Sequence, residues 1–175
     1  MAPSSITRRE LLAATPAILA IATGLLPVAA WAEQIQKQWA SCAKCRTVFF
    51  DGYRNKAVCA AGGGHVAGPT RVQLPYDKAL GPRVQGGWRF CDKCHGLFFD
   101  GYPNKGVCPA GGGHHAQGFL FTLMHDIPGG GGQFRYCDKC HVLFERGPGR
   151  CPAGDEHRAQ GFMFMLLPEG SQRID

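Results

Sequence analysis

The chain has 175 residues, a formal net charge of +6 and nine cysteines. That length suits one domain or a compact set of small ones. Its 25 glycines and 12 prolines recur every few residues, and no stretch after residue 33 holds a helical period, which argues against a helical fold.

Residues 1–32 stand apart from the rest. Arg8 and Arg9 precede an uncharged run rich in Ala and Leu over residues 11–30, and Ala30-Trp31-Ala32 offers small residues at the positions a signal peptidase reads. This stretch resembles a twin-arginine export signal, with Arg8 and Arg9 as its paired arginines. An uncleaved anchor is the alternative, since about 20 apolar residues can span a bilayer. Pro16, Gly24 and Pro27 make a poor anchor. The expected product is a periplasmic or secreted protein that touches membrane only through that segment if it stays uncleaved.

Removing the leader takes away Arg8, Arg9 and Glu10 and lowers the charge by one, to +5. What remains is a threefold repeat, with copies at residues 39–65, 88–114 and 134–157. Each copy reads C-x2-C, then a third Cys, then x5-H, which uses all nine cysteines. The predicted ligand sets are Cys42, Cys45, Cys59 and His65; Cys91, Cys94, Cys108 and His114; Cys137, Cys140, Cys151 and His157. A C-x2-C turn brings two thiolates onto one ion, and the returning C-x5-H segment completes a tetrahedron. Three thiolates and one imidazole suit zinc, about three ions per chain, in closed structural sites. Each such site carries net −1, so the basic balance mostly complements the metal sites and predicts no nucleic-acid partner. Lys44, Lys93 and Lys139 precede the second Cys, either as cations offsetting thiolate charge or as solvated turn residues.

The segments between the ligands are short apolar or alternating runs bounded by Gly and Pro, at 72–74, 119–123 and 162–167, and they read as strands. An aromatic stands three residues before the first Cys of each copy (Trp39, Trp88, Phe134), and Val48-Phe49, Leu97-Phe98 and Leu143-Phe144 follow the second. These positions form a small core. The glycines at 52, 101 and 147, and at 62, 111 and 154, read as turns. A unit this small buries too little surface to fold alone, and a metal staple is the expected remedy. The expected organisation is repeat 1 over 33–72, a linker at 73–87, repeat 2 over 88–123, a Gly-rich linker at 124–133 and repeat 3 over 134–175. The expected fold class is all-β, with three metal-stapled repeats packed in a pseudo-threefold, β-trefoil-like arrangement. A linear array of zinc-ribbon-like units is the alternative.

Other chemistries use the same cysteines. Disulfides are permitted by export, but three cysteines per copy leave no copy able to close on itself. Cys91 to His95 and Cys137 to His141 match C-x-x-C-H, the attachment pattern of c-type haem; copy one has Arg46 at that place, and haem explains neither the third Cys nor the later His. A redox C-x-x-C wants a helix N-terminus, and none is predicted.

The string W-x-x-C-x-K-C-x-x-L-F-F…C-P-A-G-G-x-H resembles a repeat of bacterial secreted and modular proteins. The resemblance implies a small β module and little about activity. Copy one departs with Ala60, copy three with Glu145 and with Asp155-Glu156. No catalytic motif is found, and His95, His125 and His141 are left over without a recognisable base or nucleophile. The expectation is a non-catalytic protein: a binding module for an envelope glycan or protein, or a structural or metal-handling protein. The candidate ligand surface is a loop shared by copies one and two, with Asp51, Tyr53 and Asn55 matched by Asp100, Tyr102 and Asn104. A polar turn with its Tyr packed down on the knuckle explains the same residues.

Overall fold

The computed structural model describes residues 34–171. The leader, with Arg8, Arg9 and the apolar run, lies outside the described residues. Among those described, no helix is long and apolar enough to cross a membrane.

The chain forms ten strands: β1 (Ile35–Cys42), β2 (Val48–Phe50), β3 (Ala67–Pro75), β4 (Val84–Cys91), β5 (Leu97–Phe99), β6 (Ala116–His125), β7 (Phe134–Cys137), β8 (Leu143–Glu145), β9 (Ala159–Met165) and β10 (Leu167–Pro168). Each copy is one antiparallel unit: the strand entering the knuckle pairs with the short strand leaving it and with the strand that follows the His. One sheet runs β10-β3-β1-β2 and the other β5-β4-β6-β9-β7-β8. The apolar run at 162–167 is divided at Leu166, between β9 and β10. The strands also extend beyond the short apolar runs, β3 to Pro75 and β4 back to Val84.

The three copies share one core. Trp39 is fully buried and meets Phe50 of its own copy edge-on, then Phe90 and Phe121 of copy two. Trp88 repeats this with Phe99 of its own copy and with Tyr136 and Phe164 of copy three. Burying an indole removes about 200 Å² from water, which at ~25 cal/mol per Å² gives an upper estimate of about 5 kcal/mol for each Trp.

Backbone hydrogen bonds link the copies in order and return to the start. The amide of Phe50 donates to the carbonyl of His95 at 2.9 Å, that of Phe99 to His141 at 2.9 Å, and that of Glu145 to Arg46 at 3.0 Å. The last runs from copy three back to copy one. A linear array has no contact between its end members, so the cyclic contacts distinguish this protein from one. The arrangement is not a strict threefold: β6 pairs with β9, whereas β3 takes β10 as its outer neighbour.

Candidate metal centres and the clefts beside them

Each knuckle is a tight turn at the end of a strand. The amides of Arg46, His95 and His141, just after the second Cys, donate back to the carbonyls of Cys42, Cys91 and Cys137. All three residues adopt positive φ, between 60° and 67°. The third Cys opens a second turn. The amides of Gly62, Gly111 and Gly154 donate to the carbonyls of Cys59, Cys108 and Cys151, and their φ values of 90°, 97° and 95° require glycine.

These turns bring the predicted ligands together. Cys42, Cys45, Cys59 and His65 place their donor atoms within 4.8 Å of one another, as do Cys91, Cys94, Cys108 and His114, and Cys137, Cys140, Cys151 and His157. All nine cysteines are buried free thiols. The three sites could therefore hold metal ions. A tetrahedral ion with bonds of about 2.3 Å to sulfur and about 2.0–2.1 Å to nitrogen needs S–S edges near ~3.8 Å and S–N edges near ~3.6 Å. Cys42 and Cys59 stand 3.8 Å apart, Cys137 and Cys151 4.0 Å. The Sγ–Nδ1 separations are 3.6 Å for Cys45–His65, 3.4 Å for Cys94–His114 and 3.4 Å for Cys140–His157. The donor sets fit such an ion.

Nδ1 is the nitrogen facing the thiols. The opposite nitrogen reaches the next copy: His65 Nε2 to the carbonyl of Cys94 at 3.1 Å, His114 Nε2 to that of Cys140 at 3.0 Å, and His157 Nε2 to that of Cys45 at 3.0 Å. An Nε2–H donated there fixes the tautomer that leaves Nδ1 free to bind metal. Each imidazole also stacks on a phenylalanine: Phe49, Phe98 and Phe144, at 4.6, 4.8 and 4.6 Å. The second Cys of each copy thus offers sulfur to its own site and its carbonyl to a neighbour's His. The sequence carries no sign of this link, because the acceptor is backbone.

The charges suit a cation. Burial pulls the three imidazoles down, but the thiols beside them outweigh it and push His65, His114 and His157 up to about 9. One thiol per site, Cys42, Cys91 and Cys137, is held well below the usual thiol range by hydrogen bonds from its neighbours. Cys45 and Cys94 are held well above it by the same pairings and by burial, Cys140 by burial and then those pairings. A bound metal must displace these protons, so affinity falls as pH falls.

The lysines have a role beyond charge and exposure. Lys44, Lys93 and Lys139 Nζ donate to the carbonyls of Gly62, Gly111 and Gly154 at 2.5, 2.7 and 2.6 Å, tying the first knuckle to the returning turn. His115, next to the ligand candidate His114, lies outside the cluster and pairs with Asp92 at 2.9 Å. His125 pairs with Asp126 and stacks on Phe162. His95 and His141 lie buried, with the Tyr53 and Tyr102 rings edge-on to them.

The Asp-Gly-Tyr loops are internally tied. Asp51 accepts from Lys56 Nζ at 2.7 Å and pairs with Arg71; these cations outweigh burial and hold its carboxyl below the usual range. Asp100 pairs with Lys105 at 2.7 Å. Asn55 and Asn104 accept from the amides of Ala57 and Gly106, as turn-forming side chains do. Gly52 and Gly101 have no room for a side chain: a Cβ would fall 2.5 Å from the ring of Phe50 or Phe99. The tyrosines pack edge-on against Phe50 and Phe99, yet 49% of Tyr53 and 50% of Tyr102 remains exposed.

Each tyrosine edges a cleft between copies. Gln36, Phe50 and Tyr53 of copy one face Phe90, Gln117 and Phe119 of copy two around about 170 Å³. Gln85, Phe99 and Tyr102 of copy two face Tyr136, Gln160 and Phe162 of copy three around about 330 Å³. The two sets correspond position for position along the repeat. The junction of copy three with copy one differs. Glu145, buried there, pairs with Arg46 Nη2 at 2.9 Å and accepts from Thr70 Oγ1 at 2.8 Å.

No family model, no curated protein and no solved structure matches this chain. The resemblance to secreted bacterial repeats therefore rests on the motif alone.

Proposed function

We propose that this chain is an exported, non-catalytic zinc protein. Its three Cys3His sites hold the architecture together, and its surface binds an envelope glycan or protein. The observation that carries the metal reading is the closure of each site: three sulfurs and one Nδ1 at tetrahedral separations, with the far nitrogen engaged by a neighbouring copy. Soft thiolates with one imidazole favour zinc, and four protein donors leave no position open for substrate. His65, His114 and His157 would hold the ion through Nδ1, and the three thiolates of each site would more than offset its charge, leaving net −1. The bound metal supplies folding free energy that so small a unit otherwise lacks.

The protein purified without its leader is expected to contain about three zinc ions, retained through dialysis, as closed sites of this type require. A Soret band, or sulfur fully paired as disulfides by mass, overturns the assignment. Ready exchange of the metal would instead favour a metal-handling role.

Export by the twin-arginine route suits a protein loaded with metal before it leaves the cytoplasm. Lysines in place of Arg8 and Arg9 are expected to leave the precursor in the cytoplasm, read by cell fractionation. Undiminished export of that variant shows a general secretory signal instead.

A further inference from the structure

We infer that the two equivalent clefts, between copies one and two and between copies two and three, are binding sites for neutral saccharide units, the larger of them being the principal site. The inference rests on the binding-module reading and names its ligand class.

Three observations support it. First, no residue lining either cleft carries a charge. Second, the rings keep free surface: Phe119 stacks on Tyr76 and Phe162 on His125 by one face, yet Tyr53, Tyr102, Phe119 and Phe162 each keep between 40% and 50% of their surface exposed. Third, the glutamines are held in a defined orientation. Gln36 Oε1 accepts the indole N–H of Trp39 at 3.0 Å, and Gln85 Oε1 that of Trp88 at 3.1 Å. Each amide is therefore left with its NH2 as the donor it can offer to the cleft. Gln117 and Gln160 add a second, exposed amide on the opposite wall.

The third copy serves as an internal control. Where copies one and two carry Gln and Trp, copy three has Gly131 and Phe134, so acceptor and indole donor are lost together. Its loop, residues 146–150, has no Tyr. The facing wall, supplied by copy one, has Ser41 for Phe90 and Tyr136, Gly68 for Gln117 and Gln160, and Thr70 for Phe119 and Phe162. Both halves of the set are missing at that junction, yet its metal donors and its backbone link remain. The set is thus not needed for metal or ring closure.

Exposed aromatic faces flanked by neutral amides fit a ligand with an apolar ring face and hydroxyls at its edge. The absence of charge disfavours anionic ligands. β6 and β9 pair with each other only at Met124–Met165 and His125–Phe164, short of the cleft-lining Gln117, Phe119, Gln160 and Phe162, so a peptide comparator sets peptide binding against sugar binding.

The test is a titration of the zinc-loaded protein followed by the indole N–H resonance of Trp88. The probes are cellotriose and the trimer of N-acetylglucosamine, with a trigalacturonate and a hexaproline peptide as comparators. One of the neutral sugars is expected to shift the resonance saturably. Tyr102→Ala is expected to weaken that binding about tenfold or more while zinc content holds. Should that variant lose zinc, Phe162→Ser and Gln160→Ala, which alter exposed side chains, carry the comparison. Binding of the uronate or the peptide in place of the neutral sugars, or sugar binding untouched by these variants, overturns the inference. A pull-down from envelope extract separates it from the broader reading. Retention by wild type that the Tyr53→Ala, Tyr102→Ala double variant loses, with no sugar bound in the titration, means the ligand class is wrong. No retention by wild type and no sugar binding means the binding-module reading itself fails.

Discussion

Cys91→Ser is expected to destabilise all three copies together, and by more than the ~3–5 kcal/mol of a large core truncation. Two links carry the effect. A structural zinc site contributes on the order of 10–16 kcal/mol of metal binding to folding, and a site with three of its four ligands loses much of it. The effect then spreads because no copy is self-contained. His65 of copy one holds the carbonyl of Cys94, and His114 of copy two holds that of Cys140. Trp88 of copy two lies among Tyr136 and Phe164 of copy three. Loosening copy two therefore removes a second partner from the His of copy one and a packing surface from copy three. The check is urea unfolding followed at once by Trp fluorescence and by zinc release to a chelating dye. Coincident transitions at lower urea are expected. A transition in which two zinc ions stay bound while one leaves early would show that the copies melt as separate beads. The same wild-type protein should hold its zinc less tightly as pH falls from neutral. The bound form needs neutral imidazoles and deprotonated thiols, and protons compete for both, the imidazoles having pKa near 9 in the metal-free sites.

The three Cys3His clusters were legible in the sequence because the residue types and spacings that could hold a metal are constrained. The all-β class was legible for a similar reason: short apolar runs between Gly and Pro leave room for little else. The ring was not. Its links are main-chain groups, such as Phe50 N–H with the carbonyl of His95, and every residue has those. The lysines before the second Cys showed as a pattern, but their acceptors, the carbonyls of Gly62, Gly111 and Gly154, did not. The clefts were half visible. The shared Tyr loop stood out, while its opposite wall comes from strands of the next copy, about 35 to 70 residues away in sequence. The Asp and Asn of that loop look available in sequence and are engaged inside it in the fold.

Two departures from the repeat that look unrelated in sequence turn out to be partners, and they give the second large effect. Copy one has Arg46 where copies two and three have His95 and His141; copy three has Glu145 where the others have Phe50 and Phe99. The fold sets them side by side, with Arg46 Nη2 2.9 Å from Glu145 Oε2. The Glu145 side chain is 8% exposed and that of Arg46 24%. Arg46→Ala is expected to cost about 3 kcal/mol, because it leaves a buried carboxylate with only the Thr70 hydroxyl. Glu145→Phe alone should cost less, about 1–2 kcal/mol, since Arg46 can turn its charge toward water. The double variant Arg46→His, Glu145→Phe recreates the pair found at the other two junctions, and well-packed apolar replacements of buried ion pairs are often near neutral. It should recover most of the loss. The backbone link from Glu145 N–H to the Arg46 carbonyl does not depend on either side chain, so a cycle with Arg46→His and Glu145→Phe as its single variants isolates the side-chain term. Urea midpoints of the zinc-loaded proteins measure it. Losses that simply add in the double variant would mean that the pair does not hold the junction and that each residue is tolerated there for separate reasons.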